Sequence, residues 1–320
     1  MLSFTPDFLQ NPLLCTGGFV KVQAPAKINL FLDVLNKRND GFHDISSVMQ
    51  SISLCDELEL SPNSEHLFVL ECDNPSLPLD ETNLIIKAAR LLDQEYNLPH
   101  GINFKLTKKI PVGAGLAGGS SNAAAALLGI NALFDLAIPA ENLLKIGKSL
   151  GADVPFCLTG GTALVEGIGE RITALQPHPP CCIVVACPNI FVSTREIFER
   201  ANVAHSGENE IFGQANVART DENETTTLRR KNFLQALKTN DPTKIACSLY
   251  NFFTPLTTSI HPQITEIINR FKKLGALGAQ MSGTGSSVFA YFQDESTAKT
   301  ALEQLRHGDN IKTFICTPIG

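Results

Sequence analysis

Apolar and polar residues alternate along Ile28-Asn29-Leu30-Phe31-Leu32-Asp33-Val34 and again along Ile102-Asn103-Phe104-Lys105-Leu106-Thr107-Lys108. A period of two is that of a strand with one covered face. Residues 20–35 therefore read as strand, broken at Ala24-Pro25-Ala26-Lys27, with further strands at 45–60, 65–72 and 102–108. Asn83 to Gln94 carries helical spacing instead, with Thr82 or Asn83 as its cap. An alanine-rich helix is expected to run to about Phe134, a short one over 140–150, and a hairpin with Gly-rich turns over 160–175. Beyond the proline-rich stretch 176–180, the apolar run Cys182 to Cys187 opens a second half as a strand. Helices are expected at 231–249, 261–274 and 295–306, with two strands around a Gly turn after the second and one strand after the third. Residues 204–230 are rich in Asn, Glu and Thr and read as a surface excursion. Helices and strands mix without strict βαβ alternation, which predicts an α+β fold. A chain of 320 residues exceeds the usual single domain. Two domains, 1–175 and 176–320, sharing a cleft are the expectation.

Between the strand at 102–108 and the alanine helix lies Pro111-Val112-Gly113-Ala114-Gly115-Leu116-Ala117-Gly118-Gly119-Ser120-Ser121. Glycine lets the backbone turn through positive φ and approach a ligand closely. A helix N-terminus adds free N–H groups and the positive end of a dipole. Together they predict a backbone cradle for phosphate. A Walker A loop would need Lys after the last glycine, and Gly119 stands there. Gly113, Gly115 and Gly118 do fit the dinucleotide spacing G-x-G-x-x-G. That motif follows a strand buried on both faces, whereas 102–108 has a half-exposed pattern, and Asp135 follows a helix rather than ending a strand.

Composition narrows the classes. The chain is 43% hydrophobic and 18% charged, enough apolar content for packed cores. A net charge of −6 and a pI near 5.7 argue against a nucleic-acid partner. No apolar run is long enough for a bilayer. No Lys or Arg precedes Lys21, which counts against a secretory signal or an Arg-rich transit peptide. Nine scattered cysteines without Cys-x-x-Cys predict reduced thiols and a cytoplasmic location rather than a disulfide framework or metal site.

Four further segments hold candidate chemistry, and each has a plainer reading when taken alone. Lys27 and Asn29 share one strand face, towards either a cleft or solvent. In Lys37-Arg38-Asn39-Asp40-Gly41-Phe42-His43, a turn is followed by a ring pair that would suit an aromatic ligand or a hairpin tip. Asp153, in Gly151-Ala152-Asp153-Val154-Pro155, is either a cap or a base for a hydroxyl proton. Ser282-Gly283-Thr284-Gly285 is a bare-backbone turn, for ligand approach or merely for a tight reversal.

Pro111 to Ala124 closely resembles the Pro-x-x-x-Gly-Leu-x-Gly-Ser-Ser-type loop of the galactokinase, homoserine, mevalonate and phosphomevalonate (GHMP) kinases. With the other four segments in this order, the resemblance covers roughly residues 21–316. It implies a two-domain GHMP kinase fold with ATP and substrate in the interdomain cleft, and ATP-dependent phosphorylation of a small alcohol. The Asp-Gly-Phe-His turn implies an acceptor of the cytidine-diphosphate-linked methylerythritol kind, used in non-mevalonate isoprenoid synthesis. The alternatives are another small alcohol, such as homoserine or mevalonate, or a nicotinamide-dependent oxidoreductase using the three spaced glycines.

By this resemblance Asp153 takes the proton of the C2 hydroxyl, and Lys27 keeps Asp153 ionised and stabilises the phosphoryl group in transfer. Asn29 positions the substrate, His43 reads the edge of the cytosine, and Phe42 stacks on its face where the family usually has Tyr. Phe198 is expected as the second ring, with Thr194 adding a hydrogen bond. Pro111, Gly113, Ala114, Gly115, Leu116, Ala117, Gly118, Gly119, Ser120 and Ser121 hold the ATP phosphates. Ala117 stands where many relatives have Gly, a methyl that fits if its φ is negative. Ser282, Gly283, Thr284 and Gly285 close the cleft. Mg²⁺ accompanies ATP, and Ser121 is the one residue suggested as its ligand. Residues 1–19 and 204–230 have no counterpart.

Overall fold

The computed structural model describes residues 14–16, 18–206, 222–306 and 310–320. In chain order the first half holds β1 (Leu14–Thr16), β2 (Phe19–Lys37), β3 (His43–Asn63), β4 (Phe68–Cys72), α1 (Leu84–Tyr96), β5 (Gly101–Thr107), α2 (Gly118–Leu133), α3 (Ala140–Leu150), α4 (Val154–Thr159), β6 (Thr162–Gly167) and β7 (Arg171–Ala174). The second half holds β8 (Cys182–Pro188), α5 (Thr194–Ser206), α6 (Glu222–Lys238), α7 (Pro242–Cys247), β9 (Tyr250–Asn251), α8 (Phe253–Ile260), α9 (Pro262–Lys273), β10 (Gly278–Met281), β11 (Val288–Phe292), α10 (Glu295–Arg306) and β12 (Ile311–Cys316).

The larger sheet runs β1-β2-β3-β5-β4, with β6 also on β3, β7 on β6 and β9 on β2. Its backbone is the antiparallel pair β2–β3. Ala24-Pro25-Ala26-Lys27 does not break β2, contrary to the sequence reading. The register jumps there, from Pro25 opposite Cys55 to Ala26 opposite Ile52. Proline has no N–H to lose at such an irregularity, so the strand bends and continues. The bend lets β3 pair with β5 beyond Glu57 and with β6 before Gln50. It also releases the N–H of Lys27, which donates to the Leu116 carbonyl at 3.1 Å. One kink thus ties the strand bearing Lys27 and Asn29 to the glycine-rich loop.

The central helix α2 is buried all along Ser121–Ile130, as expected of a helix enclosed by sheet and helices. Its small residues let it lie close to the sheet: a Cβ on Gly129 would overlap the Leu60 side chain. The second sheet is fully antiparallel, in the order β10-β11-β8-β12. Val288 to Phe292 of β11 are each 0–1% exposed, because one core of α8, α9 and α10 residues covers this strand and another joins it to β2 and β3.

Several boundaries differ from the sequence expectation. The helix over 231–249 is two helices, α6 and α7. Asp241 separates them by accepting from the N–H groups of Thr243 and Lys244, and Pro242 starts the second. The polar stretch 204–230 is helical at both ends, as the close of α5 and the start of α6; residues 207–221 lie outside the described residues, as do residues 1–13 of the N-terminal extension. Helices α4, α5 and α8 were not anticipated.

Candidate active site

A cleft of about 720 Å³ opens between the N-terminus of α2 and the second half of the chain. Its floor is the glycine-rich loop. Gly113 and Gly115 have φ of +67° and +77°, which only glycine adopts at low cost. Gly115 also faces the turn after β10: a Cβ there would overlap the Ser282 carbonyl oxygen and stand 2.9 Å from that of Gly285. The Ser287 N–H donates to the Ala114 carbonyl at 3.2 Å, and the Ser282 hydroxyl to the Gly115 carbonyl at 2.9 Å. The two turns are therefore locked face to face.

Ala117 caps α2 in the left-handed region, at φ +55° and ψ +29°. This overturns the condition of a negative φ on which its methyl was expected to fit. An L-residue with a Cβ holds this conformation at a cost that glycine avoids. Ala117→Gly should raise the unfolding free energy by about 0.5–1 kcal/mol, the relief of strain being partly offset by a freer unfolded chain. Urea unfolding checks this, and a variant less stable than the parent contradicts it.

A buried carboxylate holds the loop at its base. Asp56 is fully buried and accepts from Lys108 Nζ, from the Lys109 and Ile110 N–H groups at 2.7 and 2.8 Å, and from Asn122 Nδ2 at 2.8 Å. It thereby joins β3, the segment before the loop and α2. Sequence reading missed all three side chains, although a signal existed. Asp56 occupies the same strand face as Leu54, Leu58 and Leu60, a charge in register with core positions.

Across the cleft, Lys27 is 4% exposed, and its ammonium donates to Asn29 Oδ1 at 2.7 Å. Asn29 in turn donates to the Ser47 hydroxyl at 2.9 Å. Asp153 Oδ2 lies 3.7 Å from Lys27 Nζ, with the Asp153 side chain 31% exposed to the cleft. Asp153 occupies the N-cap position of α4 without making a side-chain cap, so its carboxylate remains available. Beneath it the Cys157 thiol is fully buried. Burial pushes its pKa far up, Asp153 adds to the rise and Lys27 opposes it, so the thiol stays protonated.

Of the loop serines, Ser120 lines the cleft, whereas the Ser121 side chain is buried against Cys157. His43 and Phe198 are brought together, with ring centroids 5.4 Å apart, and Phe253 meets Phe198 edge-on at 4.7 Å. Phe198 and Thr194 line the cleft, and Thr194 Oγ1 sits 3.1 Å from Thr284 Oγ1. Phe42 is not gathered with them: it is 59% exposed on the turn between β2 and β3. Phe191, unremarked in the sequence, lines the cleft beside Gly113 at 81% exposure. Asn251 was also missed; it holds the turn after β10 by two hydrogen bonds. The strand before the loop, β5, is antiparallel to β3 and not the central parallel strand of a dinucleotide-binding unit.

This architecture is that of the GHMP kinases. Residues 83–161 match the family model described as GHMP kinases N terminal domain, and residues 233–310 match GHMP kinases C terminal. The chain belongs to the 4-diphosphocytidyl-2-C-methyl-D-erythritol kinase family within that class. Proteins of that name from Listeria welshimeri and Brevibacillus brevis are 41% and 39% identical to it over 287 residues, covering 90% of this chain and 92% of theirs. A crystal structure of 4-(cytidine 5'-diphospho)-2C-methyl-D-erythritol kinase superposes with a TM-score of 0.74 at 31% identity, over 94% of this chain and 99% of that one. The homoserine kinase of Cytophaga hutchinsonii shares the fold, with a TM-score of 0.73 at 20% identity over 96% of both chains.

Proposed function

We propose that this chain transfers the γ-phosphoryl group of ATP to the 2-hydroxyl of 4-diphosphocytidyl-2-C-methyl-D-erythritol, a step of non-mevalonate isoprenoid precursor synthesis. The observation that supports the reading is that the Lys27–Asp153 pair lines the same cleft as two features suited to the two substrates. One is the bare-backbone loop 113–119 at the start of α2; the other is the pair of rings Phe198 and Phe253, with the buried His43 ring packed against Phe198. The names of the relatives from Brevibacillus brevis and Listeria welshimeri agree with it.

In this reading the N–H groups of the loop and the dipole of α2 bind ATP phosphates. Asp153 receives the acceptor's hydroxyl proton at a carboxylate oxygen. Lys27, held by Asn29 and 3.7 Å from that carboxylate, faces the phosphoryl group in transfer. Asn29 fixes the same end of the acceptor. His43 and Phe198 take the cytosine, Thr194 adds a hydrogen bond, and Phe42 swings in from the turn as the outer ring. Residues 282–285 cover the reacting groups. The boundary between 1–175 and 176–320 is part of this reading, supported by the two sheets.

Mg²⁺ fits the donors present. The described residues contain no group of three His, Cys, Asp or Glu side chains that could hold a metal ion, and Asp153 is the one carboxylate among the residues lining the cleft. A Mg²⁺ ion that takes most of its ligands from phosphate and water would suit such a site, with Ser120, which lines the cleft, as protein ligand in place of the buried Ser121. When bound, it neutralises charge on the phosphates. Eight of the nine cysteines are free thiols, in keeping with the reducing, cytoplasmic setting proposed here. No helix among the described residues is long and apolar enough to cross a membrane.

Calorimetric titration with the acceptor, in the presence of a non-hydrolysable ATP analogue, tests the assignment. Binding that His43→Ala weakens by about 10-fold or more, and that CMP competes away, is expected. Binding indifferent to His43 and to CMP would place the cytosine elsewhere.

A further inference from the structure

The turn at residues 282–285 is held from behind by side chains that the reaction itself does not use. Asn251, at the end of β9, is 2% exposed. Its Nδ2 donates to the carbonyls of Met281 and Gly283, both at 2.8 Å, while its Oδ1 accepts from the Phe253 N–H at 2.9 Å. Both donors and one acceptor position of the amide are thus filled in one orientation. Thr257, fully buried on α8, donates its hydroxyl to the Thr284 carbonyl at 3.1 Å. β9 is itself fixed, pairing parallel with β2 through Phe31–Tyr250 and Leu32–Asn251. That strand also bears Lys27 and Asn29.

This backing has a consequence for the opposite face of the turn. The Gly283–Thr284 peptide is trans, so its N–H points away from its carbonyl. With that carbonyl turned into the protein towards Asn251, the Thr284 N–H is directed to the cleft, which Gly283 and Thr284 both line. Among the described residues no group accepts from this N–H. The neighbouring Gly285 N–H is engaged with the Ser282 carbonyl at 3.0 Å. A Cβ on Gly283 would lie 3.6 Å from Lys27 Nζ, so the free donor stands beside the ammonium group at the reacting centre.

We propose that Asn251 and Thr257 are positioning residues that aim the Thr284 N–H at the phosphoryl group in transfer, making it a fixed backbone donor alongside Lys27. The inference rests on the kinase reading above but not on the identity of the acceptor. A donor aimed at charge that develops in the transition state acts on kcat more than on substrate binding.

The test is steady-state kinetics on the full-length Asn251→Asp, Thr257→Val and Thr257→Ser variants, each checked for folding by its melting temperature. Asn251→Asp keeps the shape and the bond from Phe253 N–H but sets a carboxylate oxygen against two carbonyls. It should lower kcat by about 10²-fold, the scale for loss of one such donor, with KM for ATP and acceptor within threefold. Thr257→Val should lower kcat by about 5-fold or more and Thr257→Ser less than twofold, since serine keeps the hydroxyl. A purely structural role would show instead as a lowered melting temperature with kcat intact. A folded Asn251→Asp enzyme with kcat within threefold of the parent, Thr257→Val matching Thr257→Ser, or a loss carried by KM for ATP would each overturn the proposal. Should Asn251→Asp not fold, the Thr257 pair decides alone. If the parent enzyme turns over a different alcohol, the same comparison is made with that alcohol; if it transfers to none, the kinase reading and this inference fall together.

Discussion

Asp153→Asn should lower kcat by about 10³-fold or more while acceptor affinity stays within threefold. The asparagine has the same shape and can keep a contact with the Lys27 ammonium, but it cannot take up the hydroxyl proton. General-base contributions of about 10²–10⁴-fold bracket the loss. The side chain caps nothing at the start of α4, so the fold does not depend on its charge. Among the described residues its one ion pair is with Lys27, at 3.7 Å and open to the cleft. Turnover by coupled ADP release and acceptor binding by calorimetry separate chemistry from recognition. A variant that binds and turns over like the parent removes Asp153 from the reaction. One that folds but no longer binds makes it a substrate contact instead.

Gly115→Ala should be the most damaging single-methyl change in the loop, in both stability and activity. The added Cβ meets the carbonyl oxygens of Ser282 and Gly285. Both are backbone atoms in a turn held by Asn251 and Thr257, so neither can move aside as a flexible side chain would. The φ of +77° adds strain of its own. Together these amount to about 3 kcal/mol, and relief would come from parting the loop from the turn, which opens the cleft. A fall of about 10²-fold or more in kcat/KM for ATP is expected, from misplacement of phosphate-binding groups. Gly119→Ala is the contrast in stability: its nearest neighbour would be Leu84 Cδ1 at 3.9 Å and its φ is not positive. It should unfold within about 0.5 kcal/mol of the parent, or slightly later, since alanine favours helix. Equal stability of the two variants would contradict the face-to-face packing of loop and turn.

Much of this arrangement could be read from local spacing. The 3.6-residue period of 295–306 coincides with α10, and the alternation over 102–108 with β5, whose buried and exposed residues alternate from Ile102 to Leu106. Asn83 caps α1 by accepting from the Ile85 N–H. Where the reading failed, packing overrode local preference. Phe253-Thr254-Pro255-Leu256-Thr257-Thr258-Ser259-Ile260 is poor in strong helix formers, yet it is helical because Phe253 and Leu256 are buried in the core beneath the second sheet and Thr257 is buried as well. The proline in β2 reads locally as a stop, but the long pairing with β3 carries the strand through it.

The site divides in the same way. Lys27, Asn29, Asp153 and the two glycine turns belong to compact motifs and meet in space. Asp56 and Asn251 act over long separations, Asp56 on residues 108–122 and Asn251 on residues 281 and 283. No short-range pattern announces such a pairing. Phe42 shows the converse. Its motif is plain in the sequence, but its ring stands 59% exposed on the turn and is not among the residues lining the cleft.

The most direct test of the kinase assignment is ADP release by the parent enzyme with ATP and Mg²⁺, comparing 4-diphosphocytidyl-2-C-methyl-D-erythritol with mevalonate, homoserine and no acceptor. Turnover with the cytidyl compound alone, with the new phosphate on its 2-oxygen, is the predicted result. Turnover with mevalonate or homoserine and none with the cytidyl compound would contradict it. The fold and the Lys27–Asp153 pair would then stand, and the roles given to His43, Phe42 and Phe198 would not.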